Sequence, residues 1–477
     1  MKSKFWSSSV WLFWGLVFAT LLIYTIFPFW FRLRPYYLWV PSPDIRSFSP
    51  SLPAGAIYAL LLVLLYLLYW LAFRQAATGL VTLRPEHLLL ITLLFSLPLV
   101  YTFPINATDI FSYLIRGRIM AVYGQSPFLV TPQAFPQDPY WLLAGEWANT
   151  TSPYGPVWEL LGGAIAWLSG GGLLRGLLLF KLLGLILHLA IGKLIWLSLS
   201  YLPPAGRSAR LLLWLWNPAL LLIFVMDAHN DALMIFWLML GYWLIQGRQV
   251  SWGWLVMVMA SLSKLIGLLP LPFFWLLLWR RAGSGRDKIR FLLFSIGGGL
   301  TLSLFTFAPF GSPLKLIQRL LTEASDNGGF SPLTLLILSL QRLKIPFSID
   351  AMVQWSFLFF AIIVLWLLWS HKKAEWGVKN VFAAYLATGF TFRVWYPAWL
   401  FPWLLLDEER GAVPAGATFL LTAQLSVLIY GHLRFYLLQR DQFQAHLVGI
   451  PFTFLLPLFV AFWTSPKPTR LQTKATQ

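Results

Sequence analysis

The sequence predicts an all-α, polytopic integral membrane protein, and three observations carry that prediction. Its 477 residues are 58% hydrophobic and only 11% charged, too little polar surface to cover a soluble domain of this size. Many apolar runs approach the roughly 20 residues that a helix needs to cross the hydrocarbon core. The runs are rich in Leu, Ile, Val and Phe without alternating polar positions, which fits helices rather than an outer-membrane barrel. On this pattern roughly 12–14 transmembrane helices are expected.

Taken in order, the N-terminus "MKSKFWSSSVWLFWGLVFATLLIYTIFPFW" has a basic start, an apolar run longer than a signal-peptide core and no clear small-x-small cleavage site. It predicts an uncleaved first helix with Lys2 and Lys4 in the cytoplasm. Apolar spans follow near 9–30, 55–73, 87–105, 174–202, 211–226, 232–246, 252–268 and 270–279. Further spans lie near 291–310, 353–369, 380–392, 395–406, 413–430 and 447–464. The basic clusters "RRAGSGRDKIR" (280–290) and "HKKAEWGVK" (371–379) set the orientation, since Lys and Arg concentrate on the cytoplasmic side. One segment, 152–171, is nearly long enough to span, but a full crossing would place Arg207 and Arg210 outside. Either it is re-entrant or the long segment after it is bent. The chain reads as a single membrane domain, 1–477. It has a first large extracytoplasmic loop at 106–151, a second at 311–352 and a short cytoplasmic tail at 465–477.

Charge and composition narrow the function. The net charge of +18 comes from Lys and Arg that punctuate the ends of apolar runs, so they read as topology and headgroup signals and not as a nucleic-acid surface. The absence of Cys excludes disulfides, thiolate nucleophiles and Cys-based metal sites. Carboxylates gather on the predicted outer side, among them Asp109, Asp138, Glu146, Asp227 and Asp231.

The first outer loop opens with "NATDIFSYLIRGR" (106–118). Phe111, Leu114, Ile115 and Ile119 recur at helical spacing, while Arg116 and Arg118 point elsewhere, the pattern of a helix lying along a membrane surface. Such a helix holds Asp109 at the membrane boundary, where a carboxylate can take a proton from a hydroxyl while the guanidinium groups hold a phosphate. A glycosyl transfer from a lipid phosphate needs both. Thr108 and Asp109 are equally good helix caps, so a structural role stands beside the catalytic one.

A second polar island, "DAHND", brings Asp227, His229, Asn230 and Asp231 to the outer junction of two apolar spans. It reads as helix capping, as a sugar or acceptor site, or as a metal site that lacks a third well-spaced ligand. Lys264 sits inside an apolar span near its outer end, either snorkelling or meeting a phosphate. In "TFRVWYPAWLFPW", Arg393 is a phosphate candidate beside Trp395 and Tyr396, which an aromatic belt also explains; Arg434 in "GHLRFY" is another phosphate candidate.

The ordered series "DIFSYLIRGRIMAVYGQSPFLVTP", "DP" at 138–139, "SPYGPVW", "NPALLLIFVMDAHNDALM" and "FRVWYPAWLFPWLL" covers most of residues 100–406. It resembles the bacterial polyprenol-phosphate-mannose-dependent alpha-1,6-mannosyltransferases of the GT-C superfamily. The resemblance implies a polytopic helical fold with an extracytoplasmic active site, a polyprenyl-phosphate-linked sugar donor (mannose in the family) and an envelope glycolipid or glycan acceptor. It implies inverting transfer without a nucleotide sugar, and it makes Asp109, in the first large outer loop, the general base. No cofactor or metal is called for. Arg116, Arg118, Lys264 and Arg393 are then candidates for the donor phosphate. Tyr113, Tyr154, Asp227, His229, Asn230, Asp231, Trp395 and Tyr396 are candidates for the sugar or acceptor. Two departures stand out: three spans precede the acidic loop where relatives often have one, and a single carboxylate occupies the key point instead of a pair. The alternative class is a transporter or flippase of lipid-linked sugars, which needs charged groups along a path reachable from both sides. Here they concentrate on the outer face.

Overall fold

The computed structural model describes residues 8–81, 83–312, 314, 329–370, 373–407 and 411–464. The helices in chain order begin with α1 (Ser8–Trp30), α2 (Leu52–Ala77), α3 (Pro85–Val100), α4 (Asp109–Ala121), α5 (Pro156–Leu168) and α6 (Leu173–Ser198). They continue with α7 (Pro204–Leu215), α8 (Pro218–Met226), α9 (Asp231–Gln246), α10 (Val250–Ser263), α11 (Leu271–Arg281) and α12 (Gly285–Phe307). The last are α13 (Pro332–Arg342), α14 (Ile349–Ser370), α15 (Ala374–Thr388), α16 (Pro397–Leu406), α17 (Ala412–Leu428) and α18 (Gln442–Thr464). Among the described residues there is no strand, only an isolated bridge between Arg32 and Thr102.

The protein is therefore an all-α polytopic membrane protein. Seven of the described helices (α1, α2, α6, α12, α14, α17 and α18) are long and apolar enough to cross a membrane. The pair α7 and α8, bent by 47°, makes an eighth if counted as one span, and α3, α5, α9, α10 and α16 are shorter apolar helices. The larger number of spans expected from sequence thus includes segments too short to cross unaided. The 13 residues of α5 rise only about 20 Å against a core of about 30 Å. Lys181, early in α6, bonds the carbonyl oxygens of Thr102 and Met226, at the same level as the ends of α3 and α8. The early part of α6 is thus level with those ends, and α5 is among the shorter apolar helices and not among those long enough to cross. The 311–352 segment, expected from sequence to be a second outer loop, contains α13, with residues 313 and 315–328 outside the described set; the 465–477 tail, Lys2 and Lys4 lie outside it as well.

Local sequence explains the breaks. Asn217 accepts hydrogen bonds from the Ala219 and Leu220 amides, and Pro218 follows at the first helical position, so α8 starts afresh after α7. A π-turn over Leu222–Met226 then ends α8 and throws Asp227–Asn230 out of helical register, with Ala228 left-handed at φ 54°. That conformation costs an L-residue roughly 1–2 kcal/mol, supplied by the surrounding packing. The core around it is dense and aromatic, with Trp214, Phe224 and Trp399 almost fully buried.

Alternate helices run toward and away from one end of the bundle. Gathered there are the ends of α8, α10 and α17, the starts of α4 and α9, and the α1–α2 and α15–α16 connections. At the opposite end lie Arg74, Arg84, Arg207, Arg210, Arg248 and the basic 280–290 cluster.

Candidate active site

Asp109 is the first residue of α4, after Thr108 at the N-cap, and the Thr108 side chain makes no capping hydrogen bond. The carboxylate turns away from the helix. Its Oδ1 accepts from the Tyr154 hydroxyl at 3.4 Å, and its Oδ2 lies 3.6 Å from His229 Nε2. His229 projects from the turn that the π-segment and Ala228 create, and its Nδ1 is hydrogen-bonded to Asp231. Asp231 also accepts from Lys264 Nζ at 2.9 and 2.8 Å and from the Trp399 indole N–H. Lys264 donates in addition to Asn230 Oδ1 at 3.3 Å, and Asn230, at the N-cap of α9, makes no side-chain cap bond. The result is a continuous row: Asp109, His229, Asp231, Lys264. Neither expected capping role has its hydrogen bond here.

The row is braced from behind. The His229 and Trp395 ring centroids are 4.0 Å apart, as are those of Tyr396 and Trp399, and Lys264 Nζ lies 5.6 Å from the Trp399 ring. Below, Lys181 joins the Thr102 carbonyl, which precedes the Asp109 loop, to the Met226 carbonyl, which precedes the His229 turn. One ammonium therefore sets the spacing of both segments.

Burial would push the Asp109 carboxyl up, but the nearby His229 with its charge, followed by Arg393 and Lys264, holds it below the usual carboxylate range. Burial would lower His229, yet the Asp231 charge, the nearby Asp109 carboxylate and the hydrogen bond to Asp231 raise the imidazole above its ordinary value. The pair favours carboxylate and imidazolium. Such a carboxylate is ready to receive a proton.

The row forms one wall of a cavity of ≈ 1310 Å³. Of the sequence candidates, Asp109, Tyr154, His229, Lys264, Arg393, Trp395 and Tyr396 line it. The Arg393 guanidinium makes no hydrogen bond or ion pair among the described residues. Tyr113 lies underneath, its ring 5.3 Å from Tyr154 and 4.9 Å from Trp158. Asp227, Asn230 and Asp231 stand behind the lining, with Asp227 neighbouring Lys181, His229 and Asn106.

Two expectations are corrected. Arg116 and Arg118 do not reach the cavity. Arg116 is buried, donating to Ser112 Oγ at 3.2 Å, Thr150 Oγ1 at 3.3 Å and the Thr151 carbonyl at 3.2 Å. Arg118 pairs with Asp138 at 2.7 Å, and the Tyr123 hydroxyl donates to the same carboxylate at 3.0 Å. Both pin the rest of the 106–151 loop over α4. For the same reason α4 is not a surface helix: every residue from Asp109 to Ile119 is buried, under α5, α6 and the Trp141–Trp147 segment.

Beside Glu146 and Arg434, to which the sequence draws attention, the cavity holds residues that local patterns do not put forward. Gly145, left-handed at φ 57°, redirects the chain so that Glu146, Trp147 and Asn149 line the cavity. Asp44 and Arg46 come from a one-turn helix closed by a capping box between Asp44 and Ser47, a spacing visible in the sequence. Arg440 joins Arg434 at the mouth.

Comparison with known proteins bears on this geometry. Residues 38–280, just over half of the chain, match the family model described as alpha-(1->6)-mannopyranosyltransferase, N-terminal domain. Alpha-(1->6)-mannopyranosyltransferase A of Corynebacterium glutamicum is 25% identical over 178 residues, 37% of this chain and 36% of that protein. The Mycobacterium tuberculosis protein of the same name is 28% identical over 185 residues, 38% and 35% of the two chains. A probable alpha-(1->6)-mannopyranosyltransferase of Mycolicibacterium smegmatis is 29% identical over 173 residues, 35% and 30%. This chain thus spans about a third of the length of the curated relatives it matches. The matched family region contains Asp109, His229, Asp231 and Lys264, and ends before Arg393.

Proposed function

This chain belongs to the alpha-(1->6)-mannopyranosyltransferase family, and on that premise we propose that it transfers a mannosyl residue from a polyprenyl-phosphate donor to an envelope glycolipid or glycan. Asp109 is the general base. The acceptor hydroxyl gives its proton to Asp109 as its oxygen bonds to the anomeric carbon, and the bond from that carbon to the donor phosphate breaks on the opposite face, inverting the centre. The electron pair leaves on the phosphate.

The observation that carries this reading is charge placement around Asp109. Within the row, two carboxylates face one ammonium and one imidazole with a raised proton affinity, so the row is close to self-neutralised. Arg393 is left as the uncompensated cation beside it, suited to the negative charge that develops on a leaving phosphate. Tyr154, Trp395 and Tyr396 offer aromatic faces and a hydroxyl for the sugar between them. Loop 106–151, held closed by Arg116 and Arg118, is the catalytic loop. The basic residues at the far end of the bundle support an extracytoplasmic cavity.

The test uses purified protein in lipid vesicles, a crude envelope glycolipid fraction and mannose label carried on either polyprenyl phosphate or a nucleotide. Label is expected in glycolipid from the polyprenyl donor alone. Incorporation from the nucleotide donor instead would contradict the reading.

A further inference from the structure

The cavity has a second cationic place, at its mouth, which the proposed chemistry does not use. Arg46, Arg434 and Arg440 line it around Phe435. The Arg46 and Arg440 guanidinium carbons lie 4.8 and 4.3 Å from the Phe435 ring centroid, so one aromatic ring carries both. Arg46 is neutralised by Asp44 at 2.6 Å. Arg434 and Arg440 have no carboxylate partner among the described residues. Their loop is tightly built: Arg434 Nε donates to the Arg440 carbonyl at 3.2 Å, the Arg440 amide donates to the Arg434 carbonyl at 2.8 Å, and Gln439 and Arg440 are both left-handed, at φ 50° and 63°. Two successive left-handed L-residues are uncommon, and here they hold the guanidinium groups together.

The depth of this cluster is as telling as its charge. It sits where α17 ends and α18 begins, and where the chain passes from α1 to α2, all of them segments long and apolar enough to span. That is the level of lipid headgroups. One phosphate, on the donor, is already matched by Arg393. A second pair of forked, uncompensated donors at headgroup depth suits another phosphate ester.

We propose that Arg434 and Arg440, steadied by Phe435 and Arg46, form a second anion site that holds the phosphate-bearing headgroup of a membrane lipid at the cavity mouth. Binding there does not depend on the transferase reading. Only the further step, that this headgroup anchors the acceptor and so makes the acceptor an anionic lipid, rests on it.

The test measures lipid binding, without turnover, by native mass spectrometry of the whole protein. Phosphatidylglycerol, polyprenyl phosphate, phosphatidylcholine and inorganic phosphate are titrated separately against wild type, the Arg434→Gln/Arg440→Gln double variant and the Arg434→Lys/Arg440→Lys double variant. Wild type is expected to hold phosphatidylglycerol in a salt-sensitive manner, the Gln variant to bind it at least tenfold more weakly, and the Lys variant to recover part of the loss. Selective loss of phosphatidylglycerol supports a second site for a lipid other than the donor, whereas selective loss of polyprenyl phosphate would show that these arginines hold the donor's own phosphate and overturns the second site. Unchanged lipid binding in the Gln variant, or loss of inorganic phosphate binding alone, overturns the proposal. If the Gln variant does not fold, the salt response decides: phosphatidylglycerol binding to wild type that ignores ionic strength overturns it equally.

Discussion

His229 is the residue on which the Asp109 site turns, because its ring faces a carboxylate through each nitrogen. Its proton joins Asp109 to Asp231, and its raised proton affinity gives that link a definite pH dependence. The unfolded value is near 6.5, so the stabilisation is complete below about pH 6.5 and disappears as pH rises through the higher folded value. Asp109 has the opposite sign: its lowered value contributes above the usual carboxylate range and is lost only in acid. Melting temperature measured from pH 5.5 to 9 should therefore fall across the alkaline half for wild type and lose that slope in His229→Gln. A parallel slope in the variant would place the titration elsewhere. At this scale much of the site was legible. A carboxylate, a His, a Lys and an Arg at apolar-run ends are costly enough to attract attention individually, and these four converge. Arg116 and Arg118 show the limit of that logic. Their partners, Thr150, Thr151 and Asp138, stand 20 to 35 residues away along the chain, so no local pattern reveals that their charges are already engaged.

Among the elements, α4 and α5 decide whether Asp109 is held. The two helices pack so closely that a Cβ on Gly117 would fall on the Gly162 carbonyl, backbone that cannot rotate away. Gly117→Ala should destabilise the protein by roughly 1–3 kcal/mol or prevent folding, the usual range for overpacking. Gly15→Ala, in α1 with no atom within 4 Å of the added methyl, should be neutral or slightly stabilising. Thermal unfolding in detergent distinguishes them, and equal behaviour would show that the close approach carries no energetic weight. The sequence periodicity identified α4 as a helix with an apolar face but suggested a surface position. What it cannot show is the cover: short 3₁₀ turns over Trp141–Trp147 and the buried ends of Arg116 and Arg118 close the face that looked exposed. The spans were legible for the opposite reason. Their signal is composition over a long window, and the predicted runs coincide with α1, α2, α6, α14 and α18 to within a few residues. Their number was harder to read, because helices such as α9, α10 and α16 are apolar yet short.

For the whole molecule, the basic 280–290 cluster lies at the end of the bundle opposite the cavity, which supports the proposal that the chemistry faces away from the cytoplasm. A chain without Cys allows a direct check of that sidedness. In intact cells a membrane-impermeant maleimide should label Gln125→Cys, in the outer loop, and should reach Arg286→Cys only after permeabilisation; the reverse pattern would invert the topology. The central claim remains that Asp109 takes the acceptor proton. The measurement that tests it most directly is mannosyl transfer from polyprenyl-phosphate-mannose by wild type and Asp109→Asn in the same lipid, with melting temperature and donor binding measured beside it. Asparagine keeps the shape and cannot act as the base, so the rate should fall by about 10²–10⁴-fold while donor binding persists. A variant that binds donor, melts normally and transfers mannose at the wild-type rate would contradict the account.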